Sequence, residues 1–136
     1  MKRKFTVLLP VASLVAAMLL GGCKPEAPSA DALAGQAAKV YYDQLLAGQV
    51  EAWVDGFYQP DSLPASYRSQ LVDNARMFLA TQREEHGGID SVSLVRCTAD
   101  TARHTANAFL LLTFGDRTHE EVVVPMVESG GVWMMR

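Results

Sequence analysis

Apolar and polar positions along the chain fall into three textures. The first is a nearly solid apolar run, Phe5 to Leu20, broken only by Pro10 and by small polar residues. The second runs from Leu33 to about Gln82 and repeats at intervals of three and four, which puts its apolar side chains on one face of a helix. Leu33, Ala37, Val40, Tyr41 and Leu45 make the first such stripe, and Gly48 ends it, as glycine commonly does past a last turn. Val50, Trp53, Val54 and Phe57 repeat the spacing over a short second helix. Pro60 and Pro64 bracket a loop, and Pro64 suits a helix's first turn. A longer third helix carries Tyr67, Leu71, Ala75, Phe78 and Gln82, widened by Val72 and Leu79, and should end at Gly87 and Gly88.

The third texture follows Gly88. "IDSVSLVRCTAD" and "HTANAFLLLTFG" are β-branched and apolar with partial alternation, the mark of strands. "GDRT" predicts a hairpin turn into "HEEVVVPMVE", and "SGG" a second turn into "VWMMR". Pro125 cannot donate to a ladder, so an edge or a bulge is expected there. Three helices followed by a four-stranded antiparallel meander make an α+β fold. The simplest burial of three helical stripes and one sheet face packs the helices in the concave face of a curved sheet.

The apolar run at the start belongs to a different process. Lys2, Arg3 and Lys4 precede it, and Leu20, Gly21 and Gly22 close it with small residues just before Cys23. A basic start, a short apolar core and a small-residue cleavage site describe a secretory signal rather than structure. Leu20, Gly21, Gly22 and Cys23 together resemble the lipobox of bacterial lipoproteins. The resemblance implies cleavage between Gly22 and Cys23, with Cys23 becoming the lipid-bearing first residue and the bilayer its partner. One acyl chain, at about 0.8 kcal/mol per buried methylene, holds only marginally, whereas two or more hold stably. An Asp after the cysteine retains Gram-negative lipoproteins at the inner membrane. Lys24 stands there instead, which, for a Gram-negative source, favours the periplasmic face of the outer membrane over the inner membrane.

The chain then divides into a signal peptide (1–22), a lipidated tether (23–32) and a single domain (33–136). "KPEAPSADA" holds two prolines and no apolar periodicity, as a tether would. Removing the signal takes away three basic residues and no acidic ones. Nine Lys and Arg then face 15 Asp and Glu, a formal charge of −6. An acidic domain without a basic cluster excludes a nucleic-acid partner. With Cys23 lipidated, Cys97 is left alone and no intrachain disulfide is available, so stability must come from a packed core.

The order of elements resembles the nuclear transport factor 2-like (cystatin-like) superfamily, including its small bacterial lipoprotein members. The residues that carry this are "AAKVYYDQLLAGQVEAWVDGF", "EEHGGIDSVSL", "LLTFGDRTHEEVVVPMV" and the terminal "SGGVWMMR". A cone-shaped domain is implied, and with it dimerisation through the convex sheet face, which the apolar run "AFLLLTF" would permit.

Enzymes of that superfamily place an Asp or His base, often with a Tyr donor, inside the cone. Asp43 with Tyr41 or Tyr42 is the pair to consider for a hydro-lyase or isomerase, the alternative reading. Asp43 lies off the helical stripe, so a solvated face is the plainer expectation, and Tyr41 reads as core with its hydroxyl at the rim. His86, His104 and His119 show no zinc-like spacing, and Cys97 has no close partner, so no metal is expected. Glu120 and Glu121 are neighbours in a strand and cannot face one cavity together. No nucleophile elbow or dinucleotide glycine pattern occurs, and no cofactor is expected. The expectation is therefore a non-catalytic envelope lipoprotein that binds a small apolar or amphipathic ligand or an envelope protein. Tyr41, Trp53, Tyr67 and Phe78 would line its pocket. An inhibitor-like module would instead expose an apolar edge, at the Leu63 loop or the Pro125 strand.

Overall fold

The computed structural model describes residues 26–136. The expected signal peptide, its Gly22–Cys23 cleavage point, lipid-bearing Cys23 and the start of the tether lie outside the described residues. The elements run α1 (Ala30–Leu46), α2 (Val50–Asp55), α3 (Ala65–His86), β1 (Ile89–Asp100), β2 (Thr105–Phe114), β3 (His119–Ser129) and β4 (Val132–Met135). The strands form an open, curved antiparallel sheet in the order β1-β2-β3-β4. This is the α+β arrangement that the hydrophobic pattern predicts. Among the described residues no helix is long and apolar enough to cross a membrane.

α1 begins inside the stretch expected to be tether. Ser29 caps it by accepting from the Ala32 amide at 3.2 Å, and Asp31 accepts from the Ala99 amide of β1 at 2.7 Å. The helix is rotated from the expected stripe: Leu45 stays buried and Ala37 and Tyr41 stay against the core, but other residues face the sheet. Ala34 and Ala38 are wholly buried and Gly35 is buried, while Leu33 and Val40 are 45% and 49% exposed. Close approach explains the rotation. A Cβ on Gly35 would sit 2.9 Å from Leu94 Cδ2 and 3.0 Å from Cys97 Cβ, so only small residues fit beneath α1.

The sheet's core face follows the pleat. Ala106, Ala108, Leu110, Leu112 and Phe114 of β2 alternate inward, joined by Val124 and Met126 of β3 and by Trp133 and Met135 of β4. Each large side chain buried here contributes about 1.5–3 kcal/mol. In β1 a register shift between Leu94 and Arg96 inserts one residue, which returns Cys97 to the core face opposite Ala108. Arg96 is thereby left on the outer face, its guanidinium 3.8 Å from the centre of the Phe109 ring.

Two expectations are corrected. α1 makes nearly all of the helix–sheet contact, whereas α3 meets the sheet mainly at β1 and, through its last residue His86, at Phe114 of β2. The α3 stripe packs toward α1 and α2 instead, in a second core built on Leu45, Val50, Val54, Val72 and Ala75. Pro125 lies in an interior strand, between β2 and β4. Its carbonyl accepts from the Arg136 amide at 3.0 Å, one residue past the end of β4. Its missing donor therefore faces the place where the β3–β4 ladder has run out.

The far end of α3 is tied to the β2–β3 turn. Gly87 takes the left-handed conformation (φ 76°), and the amides of Gly87 and Gly88 reach back to Arg83 and Gln82 in a glycine-closed cap. The Gly115 amide then donates to Gly88 and the Asp116 amide to His86, at 2.9 and 2.8 Å. His86 Nδ1 lies 2.8 Å from Asp116 Oδ2, and its ring stacks on Phe114.

Candidate functional site

Because α3 does not reach across the sheet, a cleft opens between the three helices, with a volume of about 450 Å³. One wall is α3. Tyr67, Leu71, Asn74, Ala75 and Phe78 recur at helical spacing and face inward together. Tyr67 is 49% and Phe78 40% exposed, since this stripe borders open space rather than a partner element.

The opposite wall is aromatic. Tyr42 on α1 meets Trp53 on α2 edge to face, with ring centres 6.2 Å apart, and Trp53 meets Phe57 the same way at 4.9 Å. Perpendicular aromatic packing of this kind adds about 0.5–1.5 kcal/mol per pair beyond burial. Burial also pushes the Tyr42 phenol above its ordinary pKa. The indole N–H of Trp53 is buried without a partner among the described residues. Leu45 and Val54 close the floor, and Gln59 stands at the mouth.

Three of the residues expected to line a pocket, Trp53, Tyr67 and Phe78, thus share one cleft. Tyr41 does not join them. Its hydroxyl donates to the carbonyl of Trp133 at 2.9 Å, and its ring lies over Gly56, where an added Cβ would fall 2.5 Å from Tyr41 Cδ1. It borders a shallower groove with Leu33, Val40 and Val132, away from the helix-lined cleft. Burial raises its pKa too.

Asp43 is on the solvent side, its carboxylate 2.7 Å from Lys39 Nζ one turn earlier. The arrangement in which Asp43 and a tyrosine share a cavity is not made, because position 43 points away from both the sheet and the cleft. The histidines are dispersed. His86 holds Asp116, His119 Nδ1 lies 3.1 Å from Thr113 Oγ1, and His104 sits in the β1–β2 turn with φ 55°. Cys97 is half-buried beneath α1, and burial, then the Asp31 charge, pushes its thiol pKa up, away from nucleophilic use. Leu63 is half-buried and lines, with Tyr58 and Arg68, a surface hollow that adjoins the cleft at Val54, Phe57 and Gln59.

The cleft residues not expected to line a pocket are Leu45, Val54, Phe57, Gln59, Leu71, Asn74 and Ala75, and Tyr42, considered only as a partner of Asp43. Leu71 and Phe57 were on the helical stripes already, read as core. Tyr42 lies one position beside the assumed stripe of α1, and the rotation of that helix brings it inward. Gln59 and Asn74 carry no sequence signal that separates them from surface amides.

No family model matches the chain, and no curated protein matches it in sequence. Among solved structures it is similar to one from Campylobacter jejuni described as an NTF2-like transpeptidase. The TM-score is 0.61 at 12% identity, over 74% of this chain and 94% of that one. At that identity the likeness is one of fold: the domain has an NTF2-like fold.

Proposed function

We propose that this is a lipid-anchored protein of the bacterial cell envelope, whose NTF2-like domain binds a small apolar or amphipathic ligand in the helix-lined cleft without transforming it. The observation that carries the ligand reading is the cleft itself. Its volume falls in the range of about 300–1,000 Å³ common for small-molecule sites, and its walls are apolar and aromatic with a few polar groups. In this reading the sheet face under α1 is the concave inside of the cone, already filled by α1, so the ligand space has moved out between the helices. Asp43 paired with Lys39, and Tyr41 committed to Trp133, favour binding over acid–base chemistry.

The anchor rests on the sequence from Lys2 to Cys23. Labelling cells with a radioactive fatty acid should mark the chain, and Cys23→Ser should lose both the label and the membrane fraction. Label retained by Cys23→Ser would refute anchoring through that thiol. Self-association through the outer sheet face, where Val123 is 52% exposed, goes with the same reading. Light scattering on the purified chain tests it.

The ligand reading is tested by native mass spectrometry of the full chain released from membranes. A discrete extra mass lost on denaturation supports an occupied cleft. A bare mass, with no small molecule recovered, overturns it in favour of an envelope protein partner.

A further inference from the structure

Resting on the reading of the cleft as a ligand site, we infer that its occupant is an uncharged single-chain amphiphile: a hydrocarbon chain lying along α3 with a hydroxyl or amide head at the Gln59 end. The shape comes first. From Tyr67 to Phe78 the α3 wall rises about 16 Å at 1.5 Å per residue, and both end residues are open to solvent. That is a trough long enough for an extended chain rather than a compact ring.

Among the described residues no Asp, Glu, Lys, Arg or His side chain lines the cleft, and its polar groups are the amides of Gln59 and Asn74, the phenols of Tyr42 and Tyr67 and the buried indole N–H of Trp53. The two arginines of α3 nearest its walls are already committed to acids. Arg68 donates to both carboxylate oxygens of Asp55, at 2.9 and 2.8 Å. Arg76 faces Glu51 at 3.8 Å and Asp73 at 3.7 Å. A fatty-acid carboxylate would leave water for a site with no counter-charge, which an unpaired ion avoids or answers by taking up a proton. It would also approach a domain of net negative charge. A hydroxyl or primary amide loses much less on entry, and Gln59 and Tyr67 offer it both a donor and an acceptor.

The test uses the full chain in phospholipid nanodiscs and two photoreactive probes of equal chain length, a fatty alcohol and the matching fatty acid, with crosslinks mapped to peptides. The alcohol should label the peptides carrying Phe57 and Tyr67–Phe78, at least tenfold more than the acid at pH 7.5. Equal or stronger labelling by the acid overturns the neutral-ligand inference and leaves the cleft as a ligand site. Labelling of those peptides by neither probe overturns the ligand reading as well. Gln59→Arg places a cation at the exposed mouth and should raise acid labelling at least fivefold without loss of alcohol labelling. If it does not, the missing counter-charge is not what excludes the acid.

Discussion

The phenol of Tyr41 donates to the main-chain carbonyl of Trp133 at 2.9 Å, across 92 positions of sequence. This one contact fastens α1 to the outer edge of β4, where a carbonyl would otherwise lie bare. Tyr41→Phe keeps the ring over Gly56 and removes only the bond. It should cost about 0.5–1.5 kcal/mol in urea unfolding, the usual net value of such a bond. A change below the error of the measurement would mean that water satisfies the carbonyl as well as Tyr41 does.

Gly115 is the tightest point of the α3 clasp. A Cβ there would fall 2.6 Å from the carbonyl oxygen of Gly87, and neither backbone can retreat without breaking the bond from the Gly115 amide to Gly88. Gly115→Ala should therefore destabilise by about 1–3 kcal/mol, as overpacking generally does. Thermal unfolding beside Gly131→Ala gives the comparison, because Gly131 has a positive φ but open space around it.

The same clasp responds to acid. Asp116 is held down to about 2, first by the Thr118 hydroxyl, then by His86, then by the Thr118 amide. An unfolded Asp titrates near 3.9. A carboxylate with a lowered pKa stabilises the fold above the unfolded value and loses that contribution as pH falls through the folded one. The contribution should thus be complete above about pH 5 and fade between pH 4 and 2. In Asp116→Asn that part of the acid dependence should be missing. Amide exchange at Gly115, followed from pH 5 to 2.5, reads the effect locally.

Leu45 and Phe78 face neighbouring space with opposite consequences. Leu45 is 1% exposed in the inter-helix core, and Leu45→Ala should cost about 2–5 kcal/mol. Phe78 is 40% exposed on the cleft wall, and Phe78→Ala should stay within about 1 kcal/mol while weakening labelling by the fatty alcohol several-fold. Equal destabilisation by the two would show that the cleft is closed core in solution.

Asp55 and Arg68 join α2 to α3 beside the cleft mouth, and the Arg68 hydrogen bond lowers the Asp55 pKa. Both partners are exposed, so Arg68→Ala should change global stability by no more than about 1 kcal/mol. Its effect should appear as faster amide exchange over Tyr67–Leu71, the end of α3 farthest from the Gly87 clasp.

The order of elements was legible because helix and strand periodicities differ, and the break at Gly87 and Gly88 is marked twice. α3 was legible as a stripe, yet periodicity reports only that a face is apolar, not whether it meets a core or a cleft. α1 misled for a physical reason. Two of its large apolar residues, Leu33 and Val40, point outward, because over the first turns of the helix the sheet lies so close that only Ala34, Gly35 and Ala38 fit between. The stripe so read placed Tyr41 at the pocket and left Tyr42 only as an alternative partner of Asp43. The pairings of His86 with Asp116 and Arg68 with Asp55 join distant positions through single side chains, and such contacts leave no periodic trace.

The segment after α2 has a bearing on the time course of folding. Phe57 bridges Met135 in parallel, the Met135 amide donates to Gly56 at 2.9 Å, and the Tyr58 amide to Met135 at 2.6 Å. The loop so closed contains all of α3 and all four strands, and contacts of such long range form late because their closure entropy comes before their reward. The aromatic wall built on Phe57 should therefore gain protection in the slowest refolding phase, together with β4 and after α3 has become helical. Pulse-labelled amide exchange would show this as Tyr58 and Met135 acquiring protection in step. Early protection of Tyr58 alone would contradict it.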